Sequence, residues 1–121
     1  MSTVLVVDDT RTEMEIISSC LRRGGLTVMT AIDGNDAMAK ISSQKPDLIV
    51  LDVVLPGRSG FELCRDLKAE AGTSKIPVIM CSTKGSEMDK FWGMKQGADA
   101  YLSKPVDQEE LLRTVKELIK S

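Results

Sequence analysis

The sequence predicts an α/β domain built on a single open, doubly wound parallel sheet of five strands with five helices on its two faces, and three observations carry that prediction. Short β-branched or leucine-rich runs alternate five times with amphipathic stretches of helical period, the pattern that right-handed crossovers impose on a chain. The runs are continuously apolar, Thr3-Val4-Leu5-Val6-Val7 and Leu48-Ile49-Val50-Leu51 above all, as strands covered on both faces require. The polar residues with chemical potential, Asp8, Asp9, Asp52, Ser82 and Lys104, follow directly on these runs. In such a sheet that position is the carboxyl edge, where ligands bind.

The elements read in order as follows. A first strand, Thr3 to Val7, stops at Asp8-Asp9, and Asp9 or Thr10 can cap a helix in which Met14, Ile17 and Leu21 fall at i, i+3 and i+7. Gly24-Gly25 end that helix in the manner of a C′ glycine. Leu26 to Ala31 form a second strand, and Asp33-Gly34-Asn35 turn into a helix carrying Ala37, Met38 and Ile41, closed by Lys45-Pro46. The third strand, Leu48 to Leu51, runs straight into Asp52. A loop from Val53 to Ser59, with Pro56 and Gly57, leads to a helix opened by Gly60 with Phe61, Cys64 and Leu67 on one stripe. Ile76 to Cys81 supply a fourth strand ending at Ser82-Thr83, and Met88, Phe91 and Trp92 mark a fourth helix ended by Gly97. A fifth strand, Ala100 to Ser103, ends at Lys104-Pro105. The last helix starts with Asp107 and Glu110 in capping-box spacing and carries Leu111, Leu112, Val115, Leu118 and Ile119. With 121 residues, no internal repeat and no linker-like stretch, residues 1–121 read as one domain.

Composition removes several classes of function. There is no histidine, so the commonest general base and metal ligand is missing and chemistry must rest on carboxylates, hydroxyls, lysines or thiols. The net charge is −2, and lysines and arginines are interspersed with acids, which gives nucleic-acid binding no electrostatic support. Cys20, Cys64 and Cys81 show neither a C-x-x-C pair nor zinc spacing and read as small buried hydrophobes of a reducing compartment. The chain turns acidic before a signal-peptide core could form, and no apolar stretch approaches the roughly 20 residues of a membrane span. The expectation is a cytoplasmic protein with no membrane insertion.

Each site residue has an ordinary reading when taken alone. Asp8-Asp9 can cap a helix, Ser82 can be a turn residue and Lys104 a solvated loop lysine. Asp52 resists such a reading, because a carboxylate after four apolar residues and before Val53-Val54-Leu55 is costly to desolvate without a partner. The sheet would draw these residues into one pocket. Several carboxylates can stay ionised at close range only against a counter-charge, and oxygen ligands without histidine or cysteine favour Mg²⁺, with Mn²⁺ as a substitute. Lys104 and Ser82 would add a cation and a hydroxyl donor for an anion transferring onto a carboxylate.

The segments VLVVDD, DLIVLDVVLPGRSG, IPVIMCST and GADAYLSKP, in that order and spanning the chain essentially from end to end, resemble the receiver domains of two-component response regulators, CheY-like modules. The resemblance implies a flavodoxin-like strand order of 2-1-3-4-5 and a phosphorelay function with Asp52 as phosphoacceptor, charged by a histidine kinase or phosphotransfer protein. It implies Mg²⁺ ligation by Asp9, Asp52 and the backbone carbonyl of Val54, with Asp8 completing the acidic pocket indirectly. It further implies that Lys104 contacts the phosphoryl group, that Ser82 and Tyr101 form the switch, and that the Lys104-Pro105 peptide is cis. Thr83 replaces the small residue usual after the switch hydroxyl, and Val54 is apolar where many relatives are polar. Both positions bear on how long the phosphoryl group survives. The signal would leave through the face formed by the fourth helix, fifth strand and fifth helix, to a protein partner of a chemotaxis or motility type. On that face Trp92 is either a core residue or a partner anchor, Phe91 is expected in the core, and Lys90 and Lys95 are expected to be solvated. Autodephosphorylation would be the only reaction beyond phosphoryl transfer, so the chain is not expected to be an enzyme in its own right.

Three other readings are weaker. A receiver portion of a longer regulator would look the same. A Mg²⁺-dependent phosphohydrolase would need a second aspartate two positions beyond the nucleophile, where Val54 stands. A flavin carrier would need a phosphate loop after the first strand, where Asp8-Asp9-Thr10 would repel phosphate.

Overall fold

The computed structural model describes residues 2–120. Its elements are β1 (Thr3–Val7), α1 (Arg11–Arg23), β2 (Thr27–Ala31), α2 (Gly34–Ser43), β3 (Leu48–Asp52), α3 (Gly60–Ala69), β4 (Val78–Ser82), α4 (Glu87–Lys95), β5 (Ala100–Ser103) and α5 (Gln108–Lys120). The five strands form one parallel sheet in the order β2-β1-β3-β4-β5, as the resemblance implies. β1, β3 and β4 are buried along their whole length, which accounts for their unbroken apolar sequences.

Alternate strand residues serve opposite faces, since the side-chain period of a strand is two. Leu5, Val7, Ile49, Leu51, Val78 and Met80 pack with Ala37 and Ile41 of α2 and Leu63, Cys64 and Leu67 of α3. Val4, Val6, Leu48, Val50, Ile79 and Cys81 pack with Ile17, Cys20 and Leu21 of α1 and Leu111 and Val115 of α5. The sheet is thereby a rigid platform whose carboxyl edge is held from both sides.

The element boundaries and caps refine the sequence reading. β2 begins at Thr27 because the Leu26 amide is spent on the Leu21 carbonyl at the end of α1, 3.1 Å away. β4 begins at Val78, since the Ile76 amide bonds Thr73 in a turn and Pro77 has no amide hydrogen to donate. Thr10 stands at the N-cap of α1 without a side-chain cap bond. Its own amide donates to Oδ1 of Asp8 at 2.8 Å, so the carboxylate orders the turn into α1. Asp33 and Ser59 cap α2 and α3, and the Asp107 carboxylate accepts the amides of Glu109 and Glu110 at the start of α5.

α4 departs from expectation. Met88, Phe91 and Trp92 form an apolar stripe at helical spacing, yet all three are exposed, Phe91 and Trp92 by 57% and 52%. The expectation of Phe91 in the core is therefore corrected. The residue α4 buries is Gly93, whose missing side chain leaves room for the Tyr101 ring and the Met80 sulfur. Close approach through a glycine turns the bulky stripe outward. Lys95 is exposed, with its ammonium 5.8 Å from the Phe91 ring centroid, while Lys90 is partly buried.

Candidate functional site

Asp52 is the last residue of β3 and is buried. Its carboxylate accepts the Val54 amide on Oδ1 at 3.1 Å and the Lys104 ammonium on Oδ2, also at 3.1 Å. Burial raises its pKa above the ordinary carboxylate range; Lys104 and the Val54 amide oppose the shift, and the neighbouring Asp8 charge adds to it. The backbone behind Asp52 is pinned by Gly60, whose amide bonds the Val53 carbonyl at 2.8 Å. A Cβ at Gly60 would lie 2.1 Å from the Asp52 carbonyl oxygen, so only glycine lets α3 start this close to Asp52.

Lys104 follows β5 and reaches back across the sheet edge, and its peptide to Pro105 is cis. The side chain is almost wholly buried. Its ammonium bonds three carboxylates: Asp8 Oδ2 at 2.8 Å, Glu13 Oε2 at 2.8 Å and Asp52 Oδ2 at 3.1 Å. These partners hold its pKa above the ordinary lysine range against the desolvation that would lower it. Asp8 is buried, and its second oxygen is the one that takes the Thr10 amide.

Sequence reasoning did not single out Glu13. It lies in the first turn of α1, where an acid usually compensates the helix dipole. Nothing in the sequence separates it from an ordinary first-turn acid; its bond to Lys104 is what brings it into the site. Asp9 itself is exposed and lines the cleft of about 270 Å³ that also contains Thr10, Glu13, Asp52, Val54, Thr83 and Lys104.

The remaining predicted residues surround this cleft. Val54 projects its side chain outward, 52% exposed, and Thr83 is exposed. Ser82 ends β4 and is fully buried, its hydroxyl oxygen accepting the Lys84 amide at 3.1 Å. The half-buried Tyr101 on β5 donates its hydroxyl to the Lys84 carbonyl. Burial raises its phenol pKa, and the adjacent Ser82 side chain opposes the rise. Ser82 and Tyr101 thus grip the same loop residue, Lys84.

Ligand oxygens from Asp8, Glu13 and Asp52 all lie within 4.8 Å of one another, and Asp9 stands outside that group. Hard oxygen donors around a partly desolvated carboxylate are the chemistry that divalent magnesium selects. Three carboxylates face one ammonium here, which leaves negative charge for a further cation to balance.

A buried strand-end aspartate, a lysine reaching it from a distant strand and a hydroxyl-tyrosine pair on the neighbouring loop, set on a 2-1-3-4-5 sheet, mark a signalling domain of the receiver class. The family model described as the response regulator receiver domain matches residues 4–116, and the chain belongs to that family. Protein PilH of Pseudomonas aeruginosa is 44% identical over 119 residues, covering 98% of both chains. A protein described as a response regulator from Chloroflexus aurantiacus superposes with a TM-score of 0.96 at 34% identity, covering 99% of this chain and 98% of that one. The chemotaxis response regulator CheY4 of Vibrio cholerae superposes with a TM-score of 0.90 at 34% identity, covering 98% of each chain. Receiver domains interact with histidine kinases or phosphotransfer proteins and bind Mg²⁺ at an acidic pocket. No helix among the described residues is long and apolar enough to cross a membrane.

Proposed function

We propose that Asp52 accepts a phosphoryl group from the phosphohistidine of a kinase or phosphotransfer protein, with residues 1–121 acting as one receiver domain. The observation that carries this reading is the Lys104 ammonium bonded at once to Asp52 and Asp8 at the carboxyl edge of the sheet. A carboxylate oxygen of Asp52 attacks phosphorus as the bond to the histidine nitrogen breaks. Lys104 stabilises the phosphoryl oxygens as charge passes to them, which is the main work of phosphoryl transfer catalysis. Mg²⁺, or Mn²⁺ in its place, would be held by Asp9, Asp52 and the Val54 carbonyl, with Asp8 supporting them, and would supply charge neutralisation to the transferring group.

The phosphorylated side chain carries about −1.5 to −2 charges where the free carboxylate carried one. Its oxygens draw on the Ser82 hydroxyl, which shares Lys84 with Tyr101, so the loop and the ring shift together. With Phe91 and Trp92 exposed on α4, the face of α4, β5 and α5 is the outgoing one toward a protein target, in a chemotaxis or motility type of pathway. Similarity to the chemotaxis regulator CheY4 supports that class. Exposed Val54 and Thr83 flank the acceptor and govern access of hydrolytic water.

The test is incubation with Mg²⁺ and acetyl phosphate, followed by intact mass measurement in acid. Wild type gains one phosphoryl group and Asp52→Asn gains none. Equal uptake by the variant, or no uptake by wild type, overturns the reading.

A further inference from the structure

A lysine ammonium has three N–H donors, and in this site all three are engaged, by Asp8, Glu13 and Asp52. To serve a phosphoryl oxygen, Lys104 must release one of them. The three acceptors are not equally free to let go. Asp8 is buried, with its other oxygen committed to the Thr10 amide. Asp52 is the acceptor itself, fixed at the end of a buried strand. Glu13 stands on a flexible side chain that is 35% exposed, so water can replace its partner at little cost.

The setting of the pair supports the same assignment. Glu13 and Lys104 line both the acidic cleft above Asp52 and a small apolar cleft formed with Ile16, Ile17, Pro105 and Val106. The ion pair is the wall between them, and it draws the ammonium toward α1.

We propose that Glu13 is a positioning residue that holds one N–H of Lys104 in the resting site and yields it to the incoming phosphoryl group. This rests on the phosphoacceptor reading of Asp52. Glu13 thereby slows the first step: its bond must break before Lys104 can stabilise the transferring charge. Replacing the Glu13 carboxylate with a neutral amide leaves a weaker acceptor, so that donor is released more readily.

The experiment measures initial rates of phosphoryl uptake from acetyl phosphate with saturating Mg²⁺ for wild type, Glu13→Gln, Lys104→Met and the double variant, with thermal melts confirming that each is folded. Glu13→Gln is expected to accelerate uptake about threefold to fivefold, the scale of a partly exposed ion pair. In the Lys104→Met background the same substitution should leave the rate unchanged, because the effect runs through the lysine. Unchanged or slower uptake by Glu13→Gln overturns the proposal. So does an equal acceleration without Lys104, which would make Glu13 a simple repelling charge. If wild type takes up no phosphate, or Asp52→Asn takes up as much, it is the Asp52 reading that has failed. If wild type is phosphorylated on Asp52 and Glu13→Gln is no faster, the inference about Glu13 alone has failed.

Discussion

Replacing Asp52 with asparagine should stabilise the metal-free protein at neutral pH. Asp52 lies in a group whose ligand oxygens are within 4.8 Å of one another, and at an effective dielectric constant of about 20 two unit charges at that distance repel by roughly 3.5 kcal/mol. Asp52 suffers this from both Asp8 and Glu13. Lys104, at 3.1 Å, returns roughly 5 kcal/mol on the same scale. Solvent screening of the half-exposed Glu13 brings repulsion and attraction close to balance, and desolvation of the buried carboxylate, the largest cause of its raised pKa, leaves a net cost of about 1 kcal/mol. In a domain of this size that corresponds to a rise in Tm of about 3–5 °C for Asp52→Asn.

The pH dependence follows from the raised pKa of Asp52. The native state holds this proton more tightly than the unfolded state, so its cost is absent below the unfolded value of about 3.9. The cost grows as pH rises toward the folded value and is fully present above it. Melts of both proteins at pH 7 in chelator should show the gain, and melts below about pH 3.9 should show it gone. Added Mg²⁺ should narrow the difference at pH 7 by stabilising wild type. A variant less stable than wild type at pH 7, or a gain of equal size in acid, would refute the electrostatic account.

Other substitutions probe the frame around the site. Ser18 has a buried hydroxyl with no hydrogen-bond partner among the described residues, so Ser18→Ala should add about 0.5–1 kcal/mol in urea unfolding. Gly60→Ala places a Cβ 2.1 Å from the Asp52 carbonyl oxygen; it should lose more than about 2 kcal/mol and slow phosphoryl uptake. Gly93→Ala would gain about 1 kcal/mol on helix propensity alone, but its Cβ would meet Tyr101 Cδ2 at 2.8 Å. No net stabilisation and a displaced Tyr101 ring, read from its NMR shifts, are expected. Burial pushes the thiols of Cys64 and Cys81 up to about 11 and about 12, so a thiol reagent at pH 8 should leave all three cysteines unmodified until the chain is unfolded.

The fold was legible because its two periodicities are clean. Buried parallel strands need unbroken apolar runs, and the helices between them carry spaced apolar stripes, so element order followed from the pattern. Boundaries were less legible where one amide decided them, as at Leu26, which bonds back into α1, and at Ile76, held in a turn ahead of Pro77. α4 was misread because periodicity reports an apolar stripe and not which way it faces. A single glycine, Gly93, reverses the usual answer by admitting Tyr101. Within the site, Asp8, Asp52, Ser82 and Lys104 were visible as polar residues ending apolar strands. Glu13 was not, because an acid in a first helical turn has an ordinary explanation and only tertiary placement brings it to Lys104.

The division between buried and exposed members of the site determines where the chemistry can vary. Asp8, Asp52 and Ser82 are fixed by burial and by backbone amides from Thr10, Val54 and Lys84, and Lys104 is fixed by its buried acids. Changing Asp8, Ser82 or Lys104 leaves a desolvated polar group without its partner, a cost of about 1–3 kcal/mol or more. Glu13, Val54 and Thr83 reach the same cleft from exposed or half-exposed positions, where substitution disturbs no buried bond network beyond one arm of Lys104. Phosphoryl lifetime and the rate of uptake can therefore change without endangering the fold, provided that the changes fall on these three residues. The desolvated charge of Asp52 works in the same direction. It costs the resting protein about 1 kcal/mol, and that cost is relieved when a cation enters the acidic pocket.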